Sequence, residues 1–307
     1  MDRKTWRAAG RPAAHKHDRT SRISPNRLRV PRIPVRVVAL VAGLAALPTT
    51  LSAPPALASP CYGDCKPGVV RVGAGVLRYD APVGVNDQIT IGSGSGFVTL
   101  TDTTATFAAG DGCTMVTAHQ AQCTSAFSIR VRGLDGDDAI TNATSLGSRL
   151  LGGTGNDRLA GGSGDDMLTG EAGADTLQGG GGSDTADYSD GAARTTGVRA
   201  DLDGATGDDG GPEDGPAGAR DTMGSDMENL QGTIRDDVLI GNAGPNVIAG
   251  GGGHDQIQGL GGNDQLTGRG GGTVDGGANN DTCTSDLRGL LEQPDKFVGC
   301  ETTQVLN

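Results

Sequence analysis

From Gly152 the chain repeats itself every nine residues: GGTGNDRLA (152–160), GGSGDDMLT (161–169), GEAGADTLQ (170–178) and GGGGSDTAD (179–187). Each unit has Gly at positions 1 and 4, Asp at 6 and an aliphatic residue at 8. An earlier unit, GLDGDDAIT (133–141), keeps the rule apart from Leu134, and 142–151 reads as a degenerate copy with one extra residue. A second block follows with GTIRDDVLI (232–240), GNAGPNVIA (241–249), GGGGHDQIQ (250–258) and GLGGNDQLT (259–267). The next unit is one residue short and has Thr273 where an Asp is expected. GGANNDTCT (276–284) keeps Asp281 and puts Cys283 in the aliphatic slot. A period of this length specifies a repeat fold.

The triplet x-aliphatic-x makes a short strand whose middle side chain points inward. The six residues before it, rich in Gly, reverse the chain at once. Two nonapeptides therefore close one coil of eighteen residues, and coils stack as parallel strands about 4.8 Å apart. Ile140, Leu150, Leu159, Leu168, Leu177 and Ala186 are expected to line the first core, and Leu239, Ile248, Ile257 and Leu266 the second. Such a core needs only slim residues, which accounts for 54 Gly beside 3% aromatic residues (one Trp, three Tyr, four Phe). Collagen is excluded, because Gly does not recur every third residue.

Stacking the coils also stacks the Asp. Asp138, Asp157 and Asp175 fall on one edge, and Asp166 and Asp184 on the other. In the second block Asp237 and Asp255 share an edge, with Asn246, Asp264 and Asp281 opposite. Carboxylates stacked this closely repel unless a cation lies between them. Carboxylates and turn carbonyls are hard oxygen ligands, and they select Ca²⁺; Mg²⁺ demands a stricter octahedron.

These units resemble the hemolysin-type, or RTX, calcium-binding nonapeptide G-G-x-G-x-D-x-U-x (U, a large aliphatic), the repeat of the parallel β-roll. The resemblance covers 133–187 and 232–284, with full matches at 152–160 and 161–169. It implies an all-β fold, a parallel β-roll, with Ca²⁺ between successive turns held by the position-6 Asp and by Gly-turn carbonyls. Carried onto this chain, the ligands are Asp138, Asp157, Asp166, Asp175, Asp184, Asp237, Asp255, Asp264 and Asp281. Asn246 offers a carbonyl without charge, so its site is expected to be weak. The segment Asp226–Gly232 resembles the stretch that restarts such repeats after an interruption. The ending from Asp281 to Glu301 is similar to that of exported actinobacterial members.

The rest of the chain divides around the repeats. Residues 1–58 read as a secretory signal: a long basic region, the apolar run Val37 to Leu47 and an exit at Ala56-Leu57-Ala58. The apolar run is too short to span a bilayer, so the mature chain is expected to have no transmembrane segment and to be secreted by the general route. Residues 59–130 form a β-rich segment, with strands at Val69–Val72, Val76–Tyr79, Gln88–Ile91 and Phe97–Leu100. The blocks 131–187 and 232–284 flank an acidic, Gly-rich insertion at 188–231. That insertion reads as a flexible loop, or more sharply as a further weak cation site. Residues 285–307 form a C-terminal cap. Six Cys allow fifteen disulfide pairings, and proximity favours Cys61–Cys65, Cys113–Cys123 and Cys283–Cys300.

Charge and motif content narrow the function. Of 25 basic and 37 acidic residues, eleven Lys/Arg and two Asp lie in 1–36, so the remainder has 14 basic against 35 acidic, net −21. A chain so acidic is not expected to grip nucleic acid. Enzymatic activity is not expected either. Beyond the signal only His119 and His254 remain, no H-E-x-x-H occurs, and no Ser has Gly at both −2 and +2. The expected function is an exported calcium-binding β-roll that folds on Ca²⁺ outside the cell. The alternative is an extracellular adhesin or matrix protein that uses the roll as a spacer towards a cell-surface or matrix glycan. A Ca²⁺-dependent secreted enzyme ranks below both.

Overall fold

A computed structural model describes residues 68–189, 194–290 and 292–307. The signal segment and the Cys61–Cys65 pair lie outside them. The described residues are strands and turns, with a single 3-10 turn at Pro212–Asp214. No helix among them is long and apolar enough to cross a membrane.

The nonapeptides build a parallel β-roll with two opposed faces. On one face Ser128–Asp135, Ser148–Thr154, Met167–Ala172 and Thr185–Asp187 pair in parallel. The row then continues without a break through Asn229–Gln231, Val247–Ala249, Gln265–Gly268, Thr282–Asp286 and Thr302–Leu306. Both repeat blocks are therefore one solenoid. Arg158 faces Thr176 and Val247 faces Gln265, both eighteen residues on, so each coil is two nonapeptides. All ten aliphatic positions named from the sequence are buried in one hydrophobic core.

The opposite face is interrupted. Ala139–Asn142, Arg158–Gly162 and Thr176–Gly180 form its first part; Val238–Ile240, Gln256–Gln258, Thr273–Asp275 and Lys296–Val298 form its second. The insertion fills the gap, contrary to the expectation of a flexible loop. Thr222–Met223 pairs with Thr176–Leu177, and Arg199–Asp201 pairs with Val238–Ile240. Antiparallel bridges Asp209–Asp221 and Arg199–Gly210 close the space between them. Three rungs thus stand where a regular coil places one. Val198, Ala200, Leu202, Met223 and Met227 are buried there, and this apolar content separates the segment from a solvated acidic loop.

The four expected N-terminal strands form, and they are built onto the roll. Val76–Asp80 and Gln88–Gly94 pair in parallel with the first coil. Antiparallel hairpins then close that end, through Val69–Gly73 on one face and through Phe97–Asp102, Gln120–Cys123 and Cys113–Thr117 on the other. Disulfides join Cys113 to Cys123 within this cap and Cys283 to Cys300 between the last repeat and the final coil.

Candidate metal centre

Each turn carries its position-6 Asp inward, almost fully buried. One carboxylate oxygen, Oδ1, accepts the backbone N–H of the equivalent residue one coil earlier. Asp138 N–H donates to Asp157 Oδ1 at 2.8 Å, and Asp157 N–H to Asp175 Oδ1 at 2.7 Å. On the other edge Asp166 N–H donates to Asp184 Oδ1 at 2.9 Å. In the second block Asp237 N–H donates to Asp255 Oδ1 at 3.0 Å, and Asp264 N–H to Asp281 Oδ1 at 2.9 Å. The structure therefore brings the nine Asp into rows along the two edges, one of which is interrupted by the insertion between Asp175 and Asp237.

The second oxygen has a different environment. Oδ2 of Asp138, Asp157, Asp166, Asp175, Asp184, Asp255, Asp264 and Asp281 is buried and accepts no hydrogen bond. Each points at the position-1 Gly of its own unit. A Cβ on Gly161 would stand 2.5 Å from Asp166 Oδ2 and 2.6 Å from the Gly179 carbonyl oxygen of the next coil. Only Gly leaves that gap open, and the groups that converge on it are oxygens. A buried carboxylate oxygen without a donor is costly. Burial accordingly pushes the carboxyls up: Asp138 and Asp184 to about 6, Asp157 and Asp255 to about 7, and Asp175, which also faces the Asp221 charge, to about 9. A hard cation among these oxygens would reverse that rise. The donor set fits Ca²⁺.

Asp237 departs from this set. Its Oδ1 accepts Val198 N–H at 2.8 Å and Thr233 Oγ1–H at 3.0 Å, while Oδ2 accepts Thr233 N–H at 2.7 Å. Both oxygens of Asp237, expected as a ligand, thus accept hydrogen bonds from protein donors. Asn246 is satisfied similarly. Its Oδ1 accepts Asn242 N–H at 2.9 Å, and its Nδ2–H donates to the Glu228 carbonyl at 2.8 Å. Both donors, Thr233 and Asn242, occupy position 2. In the eight rungs with a free Oδ2 the position-2 residue has positive φ, whether it is Gly153 (φ 122°) or Glu171 (φ 75°). Thr233 and Asn242 do not, and their N–H groups turn onto position 6.

Several members of the rows lie outside the nonapeptides, where periodicity could not find them. Asp87 N–H donates to Asp138 Oδ1, and Asp87 Oδ2 is a further buried oxygen without a donor. Asp221 Oδ1 accepts Asp175 N–H, Glu228 accepts Asp184 N–H, and Glu301 accepts Asp281 N–H. The short unit is also corrected. Thr273 pairs with Gln256, a position-7 residue, so Gly272 is the rung; Asp295 Oδ1 accepts its N–H at 2.9 Å. A second, more exposed ladder uses position 5 and runs the other way, with Asn156 N–H donating to Asp137 Oδ1 and Ala174 N–H to Asn156 Oδ1. The recurrence of Asn and Asp at that position was its signal.

The insertion carries its own cation into the seam. The buried Arg194 guanidinium donates to Asp214 Oδ2 at 2.6 Å and to the Glu171 carbonyl at 2.8 Å, and lies 5.2 Å from the centre of the Tyr188 ring. Tyr188 in turn donates its hydroxyl to Asp221 Oδ2 at 3.0 Å. Elsewhere in the insertion Asp201, Asp203 and Asp208 place carboxylate oxygens within 4.8 Å of one another, with Arg199 paired to Asp201 at 3.1 Å. His119 Nδ1 lies 2.8 Å from the Ala105 carbonyl and ties down the cap loop.

The family model for the RTX calcium-binding nonapeptide repeat (4 copies) matches residues 151–186 and 231–266. The chain therefore carries RTX repeats, folded as a parallel β-roll, and these repeats support calcium binding. The units at 133–141 and 276–284 lie outside the matched stretches, although the same rows of Asp run through them. No curated protein matches the chain.

Proposed function

We propose that this is an exported, non-catalytic calcium-binding protein whose roll is completed by Ca²⁺ outside the cell. The ions would be held by Asp138, Asp157, Asp166, Asp175, Asp184, Asp255, Asp264 and Asp281 together with turn carbonyls. Bound Ca²⁺ would supply the positive charge that the buried carboxylates lack. One observation carries the reading: eight buried Oδ2 atoms accept no hydrogen bond, each on a repeat Asp. At a calcium concentration tenfold above a site's dissociation constant of ~0.1 mM, one site adds roughly 1.4 kcal/mol. Several sites together rival the stability of a small domain. In a calcium-poor cytoplasm the same acidic chain would stay unfolded and competent for export.

Calorimetric titration of the metal-stripped protein with CaCl₂ tests the site assignment. Asp166→Ala and Asp184→Ala are expected to weaken binding more than any substitution within 195–220, and equal effects would overturn it. Export is tested by the mass of protein recovered from the culture medium. A mature N-terminus at Ser59 supports it, and full-length protein confined to the cells contradicts it.

A further inference from the structure

The roll is acidic along its edges, yet one face carries a row of arginines. In the cap and first coils Arg71 lies directly opposite Arg78, Arg78 opposite Arg130, and Arg130 opposite Arg149. Four guanidinium-bearing residues thus follow one line across four adjacent strands, spaced ~4.8 Å apart. Beyond Arg149 the line is uncharged, from Met167 through Thr185, Asn229, Val247 and Gln265 to Thr282. Like charges directly opposite destabilise a sheet. The nearby acidic groups neutralise this row only at Arg149. Arg149 pairs with Asp187 at 3.2 Å, and Arg78 donates to the Gly73 carbonyl at 2.8 Å. Arg132, two residues further along the strand, sits 3.7 Å from Asp80. The guanidinium groups of Arg71 and Arg130 have no ion-pair or hydrogen-bond partner among the described residues.

We infer that this row is a docking surface for a linear acidic polysaccharide, one bearing carboxylate or sulfate groups along its length. Guanidinium groups bind such oxyanions through paired, charge-assisted hydrogen bonds. The row follows one line of strand register, and its one cation per ~4.8 Å suits a polymer of sparse charge. Duplex DNA, with one charge per ~1.7 Å, exceeds what the row can neutralise on a chain of net charge −12. The site lies on the cap end of one face, apart from the Asp rows on the edges. It gives the roll something to hold, whereas calcium binding alone gives it only a fold.

The test uses the calcium-saturated full chain, with its β spectrum verified by circular dichroism. Binding is measured to polygalacturonate, which presents carboxylates, and to heparin, which presents sulfates, with dextran and duplex DNA as comparisons. The double variant Arg71→Gln, Arg130→Gln is expected to lose about tenfold or more in affinity for at least one acidic polymer. Arg158→Gln, on the opposite face, removes one charge and is expected to bind as the wild type. Arg149→Gln alone, expected to lose less than the double variant, serves if the double variant does not fold. Unchanged binding in the Arg71/Arg130 variant, an equal loss in Arg158→Gln, or tighter binding to DNA overturns the inference. A concentration-dependent oligomer abolished by the double variant would make a second copy the partner, and also overturns it. Failure of the calcium reading is separately visible, as a spectrum that ignores CaCl₂ while polymer binding persists.

Discussion

The first repeat block and the start of the second share a sequence pattern but satisfy their buried carboxylates differently. From Asp138 to Asp184 every position-6 Asp leaves Oδ2 without a donor. At Asp237 and Asn246 the protein supplies the missing charge complement itself, through Thr233, Asn242 and the Asn246 amide. The difference lies at position 2. Where φ is positive the N–H does not reach position 6, and the oxygen stays open; Thr233 and Asn242 lack that conformation and close it. A turn residue four positions away thus decides whether a repeat Asp is reserved for a cation.

The largest expected consequence is pH dependence in the absence of calcium. Burial raises the folded pKa values of Asp138, Asp157, Asp175, Asp184 and Asp255 from about 4 to between about 6 and about 9. A raised value means that the folded state binds more protons, so stability is highest near pH 4 and falls as pH rises through that window. Each tenfold difference in proton affinity between the folded and unfolded chains is worth about 1.4 kcal/mol. Urea denaturation of the metal-stripped chain is expected to show this fall, and saturating calcium is expected to abolish it. A curve that rises with pH would contradict the burial of these carboxyls without a compensating charge.

A direct contrast comes from single rungs. Asp175→Ala is expected to weaken calcium binding by on the order of tenfold or more, because an ion loses a charged ligand. Asp237→Ala should leave the calcium isotherm unchanged. It should instead lower the stability of the calcium-saturated chain by about 1–3 kcal/mol, because the buried Thr233 donors lose their acceptor. Thr233→Gly sharpens the point further, since it frees Asp237 Oδ2 and is expected to raise the calcium stoichiometry by one ion per chain. The smallest effect is at Leu260, a position-2 residue held at φ 71°. Leu260→Gly relieves that conformation and should stabilise the chain by up to about 1 kcal/mol, read as a change in the urea midpoint.

The repeating part of this molecule was legible because its physics is local. Gly at position 1, Asp at 6 and Leu or Ile at 8 each recur for one reason, and the rows followed from the period alone. Asp87, Asp221, Asp295 and Glu301 were hidden because they reach the rows from cap, insertion and tail, where no period marks them. The insertion misled for a related reason. Its acidic, Gly-rich composition resembles a solvated loop, yet Val198, Ala200, Leu202 and Met223 are placed where each meets the core. The exemption of Asp237 depended on the backbone conformation of Thr233, which composition does not reveal. The arginine row was invisible too, since Arg71, Arg78, Arg130 and Arg149 become neighbours only through strand register.

The central claim is that the open oxygens are completed by calcium, and far-UV circular dichroism of the metal-stripped chain tests it most directly. Titration with CaCl₂ is expected to produce a cooperative rise in β structure that MgCl₂ does not reproduce. A spectrum already β-rich without metal, and flat through the calcium titration, would contradict the account.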